Sequence, residues 1–149
     1  RTVEDYHQIR LTDYAGVVLL LDDETVLFER HYKHGVRGVS LSLPGGGINP
    51  GESPLEAIQR ELLEETGYMA DEWHSLGSYA CDGNYGCGKA NLFFARKARR
   101  VAEPTSRDLE EMEMVFLKKD QIIKGLQEGH FAILGVASAL ALALHRGFF

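Results

Sequence analysis

At 149 residues the chain is long enough for one domain with a full core, and 44% apolar against 26% charged residues is an ordinary soluble balance. Sixteen Lys and Arg against twenty-two Asp and Glu leave a formal charge of −6, which argues against nucleic-acid binding by phosphate neutralisation but leaves room for a small anion bridged by a cation. Two cysteines make no disulfide framework, the polar start RTVEDYHQIR has no signal-peptide pattern, and the longest apolar stretch, 14 residues at 131–144, falls short of the roughly 20 that span a membrane.

A cytoplasmic location without membrane contact is therefore expected. In chain order, residues 14–21 (YAGVVLLL) and 25–32 (TVLFERHY) read as strands joined by an Asp22-Asp23-Glu24 turn. Residues 39–43 (VSLSL) alternate and stop at Pro44. Gly45-Gly46-Gly47 reads as loop. A helix is expected from Ser53, a good N-cap with Pro54 at the first turn and Glu56 completing a capping box, to a C-terminal cap at Gly67. Leu55, Ile58 and Leu62 share a face that should pack inward. Strands are expected at 76–80 and 90–95 around a Gly-rich loop at 82–88, and again at 112–117. Helices at 119–127 and 131–145 close the chain. With no linker or repeat, the natural assembly is one α/β domain, a mixed sheet with helices on both faces.

The first helix breaks two rules at one place. Glu61, Glu64 and Glu65 stand at i, i+3 and i+4, where like charges destabilise a helix by roughly 0.2–0.5 kcal/mol per pair. Glu64 and Glu65 also occupy the last turn, where the dipole disfavours negative charge. Such breaches gather at functional positions. The alternative is a solvated acidic face held by Glu56–Arg60 and Arg60–Glu64 ion pairs. Clustered carboxylates beside an apolar face would instead take up protons unless a cation joined them, and hard oxygen ligands suit Mg²⁺ or Mn²⁺.

The spacing is specific. Gly46 is followed by five residues and Glu52, then by seven more and Arg60-Glu61-Leu62-Leu63-Glu64-Glu65-Thr66-Gly67-Tyr68. This resembles the Nudix box, GX₅EX₇REUXEEXGU, with one departure, Tyr68 at the final bulky aliphatic position. The resemblance implies an αβα sandwich and a hydrolase that cuts diphosphate linkages with Mg²⁺, or alternatively Mn²⁺. It implies that Glu61, Glu64 and Glu65 ligate the metal with the carbonyl of Gly45. Arg60 would orient Glu64, Glu52 would fix the loop, and Gly46 and Gly67 would serve backbone geometry. Divalent ions would neutralise the diphosphate and activate water, and a carboxylate would take the proton. In many members that base precedes a late strand. Asp108, Glu110, Glu111 and Glu113 lie there, with Glu111 and then Glu110 favoured, and a box glutamate such as Glu64 competing.

The segment FERHYKHG (28–35) before LSLPGGGINPGE resembles the ADP-ribose and nucleotide-sugar pyrophosphatase branch, whose RQYR-like pattern stands here as Arg30-His31-Tyr32-Lys33. Arg30 and Lys33 are candidate phosphate contacts, and Arg37 a weaker one; Lys33 keeps charge but loses the guanidinium fork. That branch tends to carry a Pro some way past the box, which is missing here. Tyr85, 17 residues past Tyr68, stands where dinucleoside-polyphosphate hydrolases often have Tyr and could stack on a base or pack against its loop. The favoured substrate is a small-molecule nucleoside diphosphate joined to another group, ADP-ribose or another nucleotide sugar. Dinucleoside polyphosphates, nucleoside triphosphates and a non-catalytic nucleotide-binding domain are the alternatives. Many relatives in this branch are homodimers, for which residues 3–11 could supply a strand. Cys81 and Cys87, with His74 nearest, lack a zinc spacing and read as reduced thiols. His31, His34 and His130 read as loop or surface residues.

Overall fold

The computed structural model describes residues 4–105 and 112–149. Two sheets form its centre. In one, β4 (Gly45–Gly47), β1 (Tyr14–Leu19), β6 (Gly86–Arg100) and β5 (Tyr68–Asp82) lie in that order, with β1 and β6 parallel and the other pairs antiparallel. In the other, β2 (Thr25–Lys33) lies between β3 (Gly38–Ser42) and β7 (Glu113–Lys118), all antiparallel. The helices are α1 (Pro54–Thr66), α2 (Lys119–Gln127) and α3 (Leu134–His145).

Strand alternation divides the core in two. Ala15, Val17 and Leu19 of β1 pack with Ala57, Ile58 and Leu62 of α1 on one face. Val18, with Leu92 and Phe94 of β6, packs against Val136 and Leu140 of α3 on the other. Helices thus cover both faces, the expected αβα sandwich, and this explains why β1 reads as a continuous apolar run. Ile58 and Leu62 are fully buried, worth about 1.5–3 kcal/mol each.

Several expectations need correction. Leu55 is 38% exposed, and Ala57 is the residue of the first turn that faces inward, packing with Ile58 and Leu62 against β1. The Gly45–Gly47 stretch is not loop but the edge strand β4, pairing Gly45 with Gly16 and Gly46 with Ala15. A Cβ on Gly45 would lie 2.3 Å from the Ala15 carbonyl oxygen, so only glycine permits the approach. β5 and β6 are each 15 residues long, and the expected Gly-rich loop shrinks to a turn at 83–85. Polar residues such as Glu72 and Arg96 on their outer halves conceal the strand pattern while pairing across it. α3 starts at Leu134; Phe131 precedes it and stacks on Phe28, with ring centroids 5.6 Å apart. His31 is buried on β2 with its Nε2 2.8 Å from Ser42 Oγ, not at the surface. Among the described N-terminal residues 4–11, Ile9 alone forms a bridge, with Gly86. No helix among the described residues is long and apolar enough to cross a membrane.

Candidate active site

Helix α1 is placed by its ends. Ser53 Oγ accepts the Glu56 N–H at 3.3 Å while Glu56 Oε2 accepts the Ser53 N–H at 2.8 Å, the expected capping box. That occupies Glu56, so the supposed Glu56–Arg60 pair is replaced by pairing of Arg60 with Glu52. At the far end Gly67 adopts φ 74°, and its N–H bonds the Leu63 carbonyl. The chain leaving β6 returns to this end: Val101 N–H bonds the Gly67 carbonyl, and Thr105 N–H bonds the Glu64 carbonyl at 2.8 Å.

Arg60 organises the outer part of the acidic cluster. Its Nε and Nη2 meet Glu52 Oε1 and Oε2 at 2.9 and 3.1 Å, and Nη1 meets Glu61 Oε1 at 2.7 Å and Glu64 Oε2 at 3.3 Å. Nη2 also reaches the Gly47 carbonyl at 3.1 Å. Only a planar, multi-donor guanidinium serves so many acceptors. These carboxylates in turn hold the Arg60 proton more tightly than usual. Glu52 also accepts the Asn49 N–H at 3.0 Å, and the Arg60 and Asn49 hydrogen bonds bring its carboxyl down to about 2.

The inner part is different. Glu65 is 8% exposed, and its Oε2 accepts the Gly45 N–H at 2.9 Å. Burial first, then the charges of Glu29 and Glu61, push its pKa up to about 9, against the pull of the Gly45 N–H. Glu29, 1% exposed on β2, hydrogen-bonds the Glu65 carboxyl. On β4, a Cβ at Gly46 would lie 2.5 Å from the Glu61 carboxylate. The glycine leaves the cradle in which that carboxylate sits. Among the described residues no three His, Cys, Asp or Glu side chains form a ready-made ion cage, as Arg60 draws Glu61 and Glu64 to itself. The donor chemistry nevertheless fits a hard divalent cation. A buried Glu65 carboxyl that ionises only against its surroundings, hard oxygen donors and the Gly46 cradle all suit positive charge there.

Behind β4, on its other face, a cavity of about 350 Å³ is lined by Gly45, Gly46, Gly47, Lys33 and Ser42. It shares Tyr14, Leu92, Ile133 and Gly135 with a larger apolar groove of about 870 Å³ running between α3, β5 and β6. A Cβ on Gly135 would lie 2.3 Å from the Tyr14 hydroxyl, so this pairing shapes the passage between the two.

The structure therefore brings Gly45, Gly46, Glu61, Glu64, Glu65 and Arg60 together and sets Lys33 behind them. Arg30 is drawn away by an ion pair with Glu113, and Arg37 lies exposed in the turn before β3. Tyr85 sits in the β5–β6 turn, 51% exposed, and lines neither cavity. Glu111, Glu110 and Asp108 lie outside the described residues. His74 is engaged by Glu72 at 2.9 Å and by the Phe148 ring. Sequence reading passed over Glu29, whose signal is a lone acid inside the apolar run TVLFE. It also missed Tyr14 and Gly135, which carry no local signal because only the packing of α3 on β1 joins them.

The sequence pattern of the NUDIX domain family matches residues 10–134. The chain is 33% identical over 93 residues to the ADP compounds hydrolase NudE of Escherichia coli (strain K12), covering 61% of this chain and 50% of that protein. It is 40% identical over 64 residues to an RNA pyrophosphohydrolase of Xanthomonas campestris pv. campestris (strain B100), covering 43% of this chain and 29% of the relative. The chain thus spans half or less of these curated relatives. Among solved structures, that of an ADP compounds hydrolase superposes with a TM-score of 0.78 at 25% identity, over 95% of this chain and 79% of the other. A NUDIX hydrolase from Nitrosomonas europaea shares the fold, with a TM-score of 0.71 at 21% identity over 93% and 90%.

Proposed function

The chain belongs to the NUDIX family, and from that premise we propose that it hydrolyses the diphosphate linkage of an ADP-type compound with a divalent cation, Mg²⁺ or alternatively Mn²⁺. The favoured substrate is ADP-ribose or another nucleotide sugar, cut to a nucleoside monophosphate and a sugar phosphate. The observation that carries this reading is the edge position of β4. Acids for cations lie on one side of three glycines, and a Lys33-lined cavity opening into an apolar groove lies on the other. A ligand with an anionic middle and an apolar, planar end suits that division. The likeness to an ADP compounds hydrolase supports the same substrate class.

When bound, the cations neutralise the diphosphate oxygens and lower the pKa of the attacking water. Glu61, Glu64, Glu65 and the Gly45 carbonyl hold them. Arg60 fixes where Glu61 and Glu64 point, and Glu52 fixes Arg60. Lys33 meets phosphate as a point charge, while Arg30, bound to Glu113, contributes only by leaving that partner. Glu111, or next Glu110, accepts the water's proton, with Glu64, the most exposed box carboxylate at 47%, as the rival base. A homodimer, usual in this branch, belongs to the same reading, and sedimentation tests it.

The second reading, removal of pyrophosphate from a triphosphate end, has the likeness to RNA pyrophosphohydrolase behind it. The net charge of −6 weighs against an RNA substrate. A panel of ADP-ribose, other nucleotide sugars, dinucleoside polyphosphates, triphosphates and 5′-triphosphate RNA, run with Mg²⁺ and with Mn²⁺, decides by product. Sugar phosphate with nucleoside monophosphate is expected. Inorganic pyrophosphate as the main product overturns the first reading in favour of the second.

A further inference from the structure

Two thiols stand outside the acidic site and have no part in the proposed hydrolysis. Cys81 is the last residue but one of β5 and Cys87 the second of β6, on either side of the turn at 83–85. The ladder pairs Ala80 with Lys89 and Asp82 with Gly86, so β6 carries one residue more than β5 across this interval. Cys87 and Gly88 together oppose Cys81 alone, which is a β-bulge. Directly opposed residues on antiparallel strands have Cα atoms about 4.5–5.5 Å apart, inside the roughly 4.4–6.8 Å range of disulfides.

Three further observations favour a built feature. Cys87 holds φ 56°, a left-handed conformation costing an L-residue roughly 1–2 kcal/mol, where glycine would be the easy choice. The N-terminal arm supports that strain, with Cys87 N–H bonding the Ile9 carbonyl at 3.1 Å. Both residues line the same apolar groove, and the two thiols lie near enough for Cys87 to act on the charge of Cys81. Both are free thiols, Cys81 exposed and Cys87 half-buried.

We propose that Cys81 and Cys87 form a dithiol that low-molecular-weight disulfides such as glutathione disulfide oxidise to an intrachain bond, drawing in the rim of the apolar groove. Exposed Cys81, as thiolate, attacks one sulfur of the small disulfide and releases one thiol. The Cys87 thiolate then attacks the Cys81 sulfur and releases the second. One S–S bond breaks and one forms, and the two protein protons end on the two released thiols. Burial, then Cys87 and Asp13, hold the Cys81 thiol above its ordinary range, so the exchange quickens as pH rises. The effect on ligand binding rests on the reading of the groove as the nucleoside pocket; the thiol chemistry does not.

The test exposes the intact protein to glutathione disulfide, blocks remaining thiols by alkylation, and reads intact mass and a peptide map. The wild type is expected to lose two hydrogen atoms in mass, resist alkylation, yield a Cys81–Cys87 cross-linked peptide, and revert with dithiothreitol. Cys87→Ser should stop at a glutathione adduct on Cys81. A folded wild type that stops at that adduct, or stays fully alkylatable, overturns the proposal. ADP binding by calorimetry reads the rim: affinity should fall several-fold on oxidation of the wild type and return on reduction with dithiothreitol. A cross-link that leaves ADP affinity unmoved overturns the drawing-in of the rim. Absence of ADP binding by the reduced protein counts against the nucleotide reading alone, while the peptide map still decides the thiol chemistry.

Discussion

At the outer end of the acidic site, Glu52 sits in the fork of Arg60 with its carboxyl held down to about 2; at the inner end, Glu65 lies against Glu29 and Glu61 with its carboxyl driven up to about 9. Both belong to one motif, Glu52 just before helix α1 and Glu65 in its last turn, yet protein alone satisfies only the first. Every oxygen of Glu52 meets a guanidinium or a backbone N–H. Glu65 has one N–H and two acidic neighbours. The outer end is finished by the chain, while the inner end has the donors for a cation and no positive charge of its own. The acidity is therefore concentrated where the fold withholds positive charge.

The largest test of that contrast is Glu65→Gln. Removing the carboxylate that the cation completes should lower kcat/KM on the order of 10³-fold, the equivalent of about 4 kcal/mol of charge stabilisation. Steady-state kinetics within a few-fold of wild type would break the comparison. Next comes Arg60→Lys, which keeps the charge and loses the fork. A positioning role predicts a drop of about 10–100-fold in kcat/KM, with the metal concentration needed for half-activity rising. An unchanged metal requirement would assign Arg60 to stability instead.

Adjacent glycines sharpen the point further. Gly45→Ala drives a methyl into the Ala15 carbonyl, and about 1–3 kcal/mol of strain should appear as a lower Tm. Gly46→Ala meets the end of the Glu61 side chain instead, which can swing away. That variant should keep most of its Tm and lose about tenfold in kcat/KM, an estimate for one displaced ligand worth about 1.4 kcal/mol.

The smallest effect is the pH dependence of Tm in chelator. The folded-state pKa of Glu65 is raised, so the native protein holds a proton that the unfolded chain gives up near 4.5. Its contribution to stability is thus lost as pH rises from that value toward about 9. Glu52 works in reverse, stabilising above its ordinary pKa and losing this as pH falls toward about 2. Tm should decline steadily from pH 6 to pH 9 in chelator. Mg²⁺ or Glu65→Gln should flatten the slope. A slope that survives both points to another group.

What sequence could reveal follows the range of the forces involved. The cap of α1, its carboxylate spacing and the Gly67 stop are all local, and they read directly. The glycines looked like loop because their reason lies across the sheet, in a carbonyl of β1. Leu55 looked buried because it is large and apolar at helical spacing, whereas the small Ala57 takes the contact with β1. His31 was misplaced because its partner, Ser42, is 11 residues away on β3. Glu29 was visible as a polar interruption, but only its neighbour on α1 gives it meaning.

The backbone bond from Thr105 to Glu64 has a consequence for the contest between proton acceptors. Glu64 offers its own carboxylate as one contender, while its main-chain carbonyl holds Thr105. A change that tilts the final turn of the helix would disturb that tether along with the Glu64 side chain, so removing single side chains, Glu64→Gln against Glu111→Gln, is the cleaner way to tell the contenders apart.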